Sequence, residues 1–256
     1  MNRFLLEYLL PPVLLFALVV ALWEFVVWWF NIGAYLLPAP HAVALALWED
    51  RAKLFNAASY TLTAAAAAFA ISFAIGTLVA MAFAQSAILR RAGFPYAIFL
   101  QTVPIVAIAP LVIAVLGPNL RSVVLVAVII SLFPIITNVT AGLLAVDPKL
   151  VELFAVLRAS RWQRLLKLQI PTAIPHAITG ARTSSGLAMV GAIVGEFFAG
   201  YGGERYGLGY LISTNNDYLR TDKLFAAVLV AALLGIAIFG AVNLIAGLLL
   251  KRWTQA

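Results

Sequence analysis

Six stretches of the chain stay apolar for about 20 residues or more, the length a helix needs to cross the hydrocarbon core of a bilayer. They run from about Leu9 to Phe30, Ser59 to Gln85, Tyr96 to Leu116, Ser122 to Leu144, Thr172 to Ala199 and Leu224 to Leu250. Polar connections of uneven length join them. A short basic loop with Arg90 and Arg91 precedes the third stretch, and only a tight turn around Gly117 to Arg121 separates the third from the fourth. The segment from Asn31 to Ala58 holds Pro38, Pro40 and an amphipathic stretch around Trp48, and the segment from Tyr201 to Lys223 is Gly-rich and polar. In the long segment from Asp147 to Pro171, Leu150, Leu153, Phe154 and Leu157 recur at helical spacing, which predicts an amphipathic helix bracketed by Pro148 and Pro171. The pattern therefore predicts an all-α, polytopic membrane protein. Residues 1–256 form one domain of six transmembrane helices, with no soluble domain and no internal repeat.

Composition strengthens this reading. Hydrophobic residues make up 64% of the 256 positions and charged residues only 11%, against roughly 25% charged in a soluble domain. Seventeen basic and ten acidic side chains cannot cover a water-facing surface of this size. The absence of cysteine excludes a disulfide framework, a Cys-ligated metal site and a Cys nucleophile. The net charge of +7 is scattered between the apolar stretches and forms no basic stripe with interleaved aromatics, so nucleic acid is not a predicted partner. The first apolar run is too long for a cleaved leader and no small-x-small site follows it, so it is read as a retained span.

Lysine and arginine also set an orientation. With the N-terminus inside, ten lie on the cytoplasmic side (Arg3, Arg90, Arg91, Lys149, Arg158, Arg161, Arg164, Lys167, Lys251 and Arg252). Six lie outside: Arg51, Lys53, Arg121, Arg205, Arg220 and Lys223. The asymmetry predicts cytoplasmic termini, a cytoplasmic 147–171 loop and an external 201–223 loop.

Catalytic chemistry finds little support. His41 and His176 fall on opposite predicted sides, no phosphate-binding Gly-x-x-x-x-Gly-Lys-Ser/Thr loop is present, and Ser184-Ser185-Gly186 lacks a nucleophile context. The chemistry lies instead in polar groups within spans. Arg182 and Glu196 fall in the fifth span, fourteen residues apart, about 21 Å along a helix and too far to pair. Arg182 reaches headgroups or carbonyls, or lines a path; Glu196 holds the Gly-rich outer loop or serves the path; Glu24 in the first span is equally open. Gln101, Thr102 and Pro104 interrupt the third span, and Ser131, Pro134, Thr137 and Asn138 the fourth. Such breaks either satisfy freed backbone groups or line a pathway. Ser184 and Ser185 suit close helix packing as well as a path.

The basic amphipathic segment has two readings from composition alone, a helix resting on anionic headgroups or one docking on a cytoplasmic partner. Its sequence, DPKLVELFAVLRASRWQRLLKLQIP, resembles the cytoplasmic loop of permease subunits of bacterial ABC importers. That loop runs Glu-Ala-Ala, three residues, Gly, nine residues, Ile-x-Leu-Pro. Glu152, Leu168, Ile170 and Pro171 match it; Leu153-Phe154 replace Ala-Ala and Arg158 replaces Gly. The run Arg158 to Gln163 resembles the branch serving nitrate, sulfonate, taurine and thiamine-pyrimidine importers. LLPAPHAV (36–43), FPIITNVTAGL (133–143), GLAMVGAIVGEFFAG (186–200) and GLGYLI (207–212) resemble other family segments in the same order.

The resemblance implies a type I ABC importer permease-like bundle in the bacterial inner membrane, with residues 59–250 as a five-helix core. A second permease copy would complete the pathway. A cytoplasmic ABC ATPase subunit would bind ATP and Mg, leaving this chain without a cofactor or metal, and would receive Glu152, Leu153, Phe154, Leu157 and Arg158. An extracytoplasmic binding protein would deliver a small hydrophilic solute of the nitrate, sulfonate or taurine class, with a thiamine-pyrimidine or riboflavin-like precursor as the alternative. Gln101, Thr102, Ser131, Asn138, Arg182 and Ser185 would line the path. The competing classes are an ion-coupled secondary transporter, for which Glu24 and Glu196 are the only acidic groups within spans, and a non-transporting scaffold.

Overall fold

A computed structural model describes residues 10–199 and 206–254, the side chains of 249–254 excepted. Arg3 and the 200–205 stretch with Arg205 lie outside the described residues, as do the side chains of Lys251 and Arg252. The described chain is helical throughout: α1 (Leu10–Trp29), α2 (Pro40–Glu49), α3 (Arg51–Gln85), α4 (Ala87–Thr102), α5 (Ile105–Leu116), α6 (Leu120–Leu144), α7 (Pro148–Val156), α8 (Arg161–Arg164), α9 (Ile170–Ala199), α10 (Leu208–Asp217) and α11 (Thr221–Thr254). Five helices are long and apolar enough to cross a membrane, six if the bent pair α4–α5 counts as one span.

That pair corrects the expectation of one straight span from Tyr96 to Leu116. The chain bends by 95° between Thr102 and Ile105. Val103 is extended, and Pro104 has no N–H with which to continue the helix. The turn into α6 follows the sequence pattern more closely. Gly117 takes φ +79°, and the Asn119 side chain accepts from the Arg121 and Ser122 amides while Ser122 returns a bond to Asn119, a capping box.

The core is a three-helix packing of α3, α6 and α9. Small residues set its spacing: a Cβ on Gly191 would lie 2.6 Å from Ala127 Cα, so α9 approaches α6 as only glycine permits. Three serines fasten the same crossing. Ser72 Oγ lies 2.7 Å from Ser131 Oγ, Ser131 Oγ lies 2.7 Å from Ala127 O, and Ser184 Oγ donates to Ser131 O at 2.7 Å. All three are fully buried, which is tolerated because each hydroxyl finds a partner. By contrast α1 buries no residue. It touches the rest through Trp23 against Phe225, with ring centroids 5.8 Å apart, and through Glu24, whose Oε1 lies 2.8 Å from His41 Nδ1.

The fifth span is longer than the sequence pattern indicates. From Arg161 to Ala199 the chain is one helix of 39 residues, through α8, a π-helical turn at Leu165–Gln169 and α9. Pro171 was expected to end the loop helix and instead lies inside this rod. Proline cannot donate to the carbonyl four residues back and its ring crowds that turn. The widened π turn directly before it relieves the crowding, and the Thr172 hydroxyl donates to Leu168 O at 2.8 Å.

Candidate coupling loop and pathway residues

The loop between α6 and α9 begins with Asp147, whose side chain accepts from Lys149 N at 2.9 Å, and with Pro148 at the first helical position. Nine residues later α7 stops. Arg158 adopts φ +50°, its N–H donates to Ala155 O at 3.0 Å, and the Ala159 N–H donates to Phe154 O at 2.9 Å. This is a Schellman turn with arginine in the left-handed position that favours glycine. The expectation that Arg158 continues an amphipathic helix is therefore corrected: it is the turn that ends it. Glu152, expected near the N-terminus of the loop helix where a carboxylate favours the free N–H groups, lies further along it. Asp147 caps α7, and Glu152 stands exposed in its second turn, beyond reach of the free N–H groups.

No residue of α7 is buried. Leu150, Leu153 and Leu157 are 42%, 50% and 66% exposed, and Phe154 is half-buried. An apolar ridge that is largely exposed among the described residues thus stands beside the start of the long α9 rod. Ser160 opens that rod with a second capping box, its side chain accepting from Gln163 N while Gln163 Oε1 accepts from Ser160 N. Gln85, the last residue of α3, donates to Gln169 Oε1 at 2.7 Å across the π turn. Nothing in the sequence pattern flagged this amide pair.

The structure separates the pathway candidates. Gln101 and Thr102 are exposed at the α4–α5 break, where the Thr102 hydroxyl donates to Phe99 O. Ser131 is buried in the serine crossing, and Ser185 donates to Arg182 O at 2.8 Å. Asn138 is half-buried against α9 near Gly180 and donates to Pro134 O at 2.8 Å. The helix carrying Gln101 and Thr102 packs against α6 through Ala97 and Ile136, but no hydrogen bond joins Gln101 or Thr102 to α6 among the described residues. Arg182 is half-buried, its Nε meets no partner and no carboxylate pairs with it among the described residues. A cavity of about 410 Å³ beside it, between α3, α9 and α11, has only apolar lining.

At the other end, Glu196 is 2% exposed. Its Oε2 accepts from Thr61 Oγ1 and from Gly209 N, both at 2.9 Å, so it does hold the segment after the Gly-rich stretch. Asp50, between α2 and α3, accepts from Lys223 Nζ at 2.7 Å and lies 3.4 Å from Lys53 Nζ. The Lys223 hydrogen bond holds the Asp50 carboxyl below its ordinary range.

A bundle of apolar helices crossing a membrane, joined by a projecting cytoplasmic-type loop to one long core helix, has the build of a transport permease. Residues 72–255 match the family of binding-protein-dependent transport system inner membrane components, and the chain belongs to that family. It is similar to a riboflavin transport system permease of Chloroflexus aurantiacus, 37% identical over 64% of this chain and 60% of that protein, so this match spans less than two thirds of the relative's length. It is also similar to a formylaminopyrimidine transport permease of Halalkalibacterium halodurans, 29% identical over 94% of this chain and 95% of the other, and to a putative aliphatic sulfonates transport permease of Bacillus subtilis, 29% identical over 87% and 80%. A chain of the MetNI methionine ABC transporter, in an inward-facing crystal form, shares the fold with a TM-score of 0.57 at 17% identity, over 82% of this chain and 97% of that one. The protein is thus a multi-pass inner-membrane transport component.

Proposed function

We propose that this chain is the pathway-forming subunit of an ATP-driven importer. A separate ATPase subunit docks on α7 from the cytoplasm, a second permease copy completes the pathway, and an external binding protein delivers a small hydrophilic solute. ATP and Mg are held by the ATPase, not by this chain. The observation that carries the reading is the largely exposed apolar ridge of α7, set directly before the 39-residue rod that runs to the far end of the bundle. Burying one such side chain in a partner's groove contributes about 1.5–3 kcal/mol. The polar groups support a second copy: the buried hydroxyls bond one another, and Gln101 and Thr102 are exposed. A hydrophilic route then needs a second surface.

For the cargo we infer the nitrate, sulfonate or taurine class, with Arg182 supplying charge-assisted hydrogen bonds to an anionic group. Relatives named for riboflavin and formylaminopyrimidine transport support a heterocyclic precursor as the second reading. The ion-coupled transporter is less favoured. Glu24 pairs with His41 near one end of its span and Glu196 caps a helix near the end of another, so neither carboxylate stands at midspan.

The test is co-purification of the ATPase. Changing Phe154 to Asp, or Leu153 to Asp, is expected to weaken ATPase binding at least about tenfold, since 1.4 kcal/mol is a factor of ten, while the variant still inserts in the membrane. Retention of the ATPase at wild-type levels with normal uptake would assign α7 to the headgroup surface instead.

A further inference from the structure

We propose that Glu196 is a positioning residue that locks the short helix α10 to the spanning helix α9, so that the two move as one body during transport. The proposal rests on the importer reading for its functional consequence, and on geometry alone for the lock itself.

Helix α10 starts after Gly207, which supplies no side-chain cap. Its first N–H groups are satisfied from two other helices. Leu208 N donates to Thr61 Oγ1 on α3 at 2.9 Å, and Gly209 N donates to Glu196 Oε2 on α9 at 2.9 Å. The Thr61 hydroxyl in turn lies 2.9 Å from the same Glu196 oxygen and donates its proton there. One carboxylate oxygen therefore ties three helices at a point where Thr61 is fully buried and Glu196 is 2% exposed. Both bonds fall on Oε2, while Oε1 is buried with no hydrogen-bond partner among the described residues, so the bonds at Oε2 and the positive end of α10 are what offset the cost of burying this carboxyl group.

The backbone is shaped to the same contact. A Cβ on Gly207 would collide with the Glu196 carboxyl group, and one on Gly209 with Ile193 O and Glu196 Cβ. Neither glycine has room for a side chain, so α10 sits against α9 at the closest possible distance. The rod carrying Glu196 is continuous from Arg161 for 39 residues, about 58 Å at 1.5 Å per residue. A displacement where the ATPase is proposed to dock then reaches α10 through one helix and one carboxylate. On its other side α10 borders a polar cavity of about 220 Å³ with Asp50, Lys53, Arg220 and Lys223 in its wall. The outer surface thus moves in register with the core helix.

The chain has no cysteine, so Val190→Cys on exposed α9 and Asn216→Cys on α10 accept spin labels without background. The distance between the two labels of one copy is read by pulsed electron paramagnetic resonance on the full chain in lipid nanodiscs, alone and with its ATPase, with and without ATP and Mg, the labelled chain being diluted into excess unlabelled chain so that complexes carry a single labelled copy. The expected result is one narrow distribution, unchanged by nucleotide, for the wild-type background and for Glu196→Gln, whose amide oxygen accepts the same bonds. Glu196→Ala and Thr61→Val are expected to broaden or shift it. Uptake should fall at least about tenfold in Glu196→Ala, recover in Glu196→Gln, and leave ATPase binding at wild-type levels. A nucleotide-dependent distance in the wild type, an unchanged narrow distance in Glu196→Ala or Thr61→Val, or a Glu196→Gln variant indistinguishable from Glu196→Ala would each overturn the proposal. Failure of the importer reading shows separately, as no ATPase retained by the unmutated chain, while the distance in nanodiscs still reports the lock.

Discussion

Two arginines carry the residue-scale argument, and they differ in how far the sequence reveals them. Arg158 occupies the position where the family pattern has Gly, and its φ of +50° explains why glycine suits it. A left-handed conformation costs an L-residue about 1–2 kcal/mol. Arg158→Gly is therefore expected to keep the Schellman turn, raise thermal stability slightly and retain the ATPase. Arg158→Val should lower both, because a branched Cβ is poorly tolerated there. Thermal unfolding in detergent and co-purification check the pair. Arg182 was visible as an intramembrane charge, and the structure adds that its Nε has no partner. Arg182→Ala is expected to cut uptake at least about tenfold, the size of one lost charge-assisted bond, with the ATPase still bound. Normal uptake would leave it a headgroup anchor. Glu196 and Thr61 show the limit of legibility. Each is a plausible span residue in isolation, but only tertiary packing places residue 61 beside residue 196.

At the scale of elements, apolar run length located the five helices long enough to cross a membrane, because the bilayer imposes that length, and it missed the break in the third run. The 95° break after Thr102 and the π turn before Pro171 both occur at prolines named in the sequence. A proline signals that backbone groups are freed, yet whether a helix bends or merely widens depends on its neighbours. Ser131 was legible as a pathway candidate and Ser184 as a small packing residue, and nothing singled out Ser72; the bonding of the three sets how α3, α6 and α9 cross. The same crossing yields a paired prediction. Gly191→Val would drive a Cβ to 2.6 Å from Ala127 Cα, whereas a Cβ at Gly240 meets nothing within 4 Å. Overpacking a tight helix contact costs about 1–3 kcal/mol. Gly191→Val should lower the thermal midpoint measurably and Gly240→Val should leave it near wild type.

For the whole molecule, the functional argument depends on which way the bundle stands in the membrane. The bundle packs the same way in either orientation; the asymmetry lies in charge, for which the sequence predicts ten lysines and arginines on the side of α7 against six on that of α10. Retention of positive loops on the cytoplasmic side predicts an internal α7 side, and only in that orientation would its apolar ridge meet an ATPase while α10 and the Asp50–Lys223 pair meet what arrives from outside. The absence of cysteine makes the orientation directly testable. Ala155 in α7 and Asn216 in α10 are both exposed and take part in their helix ends through backbone carbonyls alone, which a Cys substitution leaves in place. In sealed cells a membrane-impermeant thiol reagent is expected to label Asn216→Cys and spare Ala155→Cys, with both labelled once the membrane is opened. Labelling of Ala155→Cys from outside would turn the bundle over. The ridge of α7 would then face the wrong compartment for an ATP-bound partner, and the importer reading would fall with it, while the serine crossing and the Glu196 lock would stand unchanged.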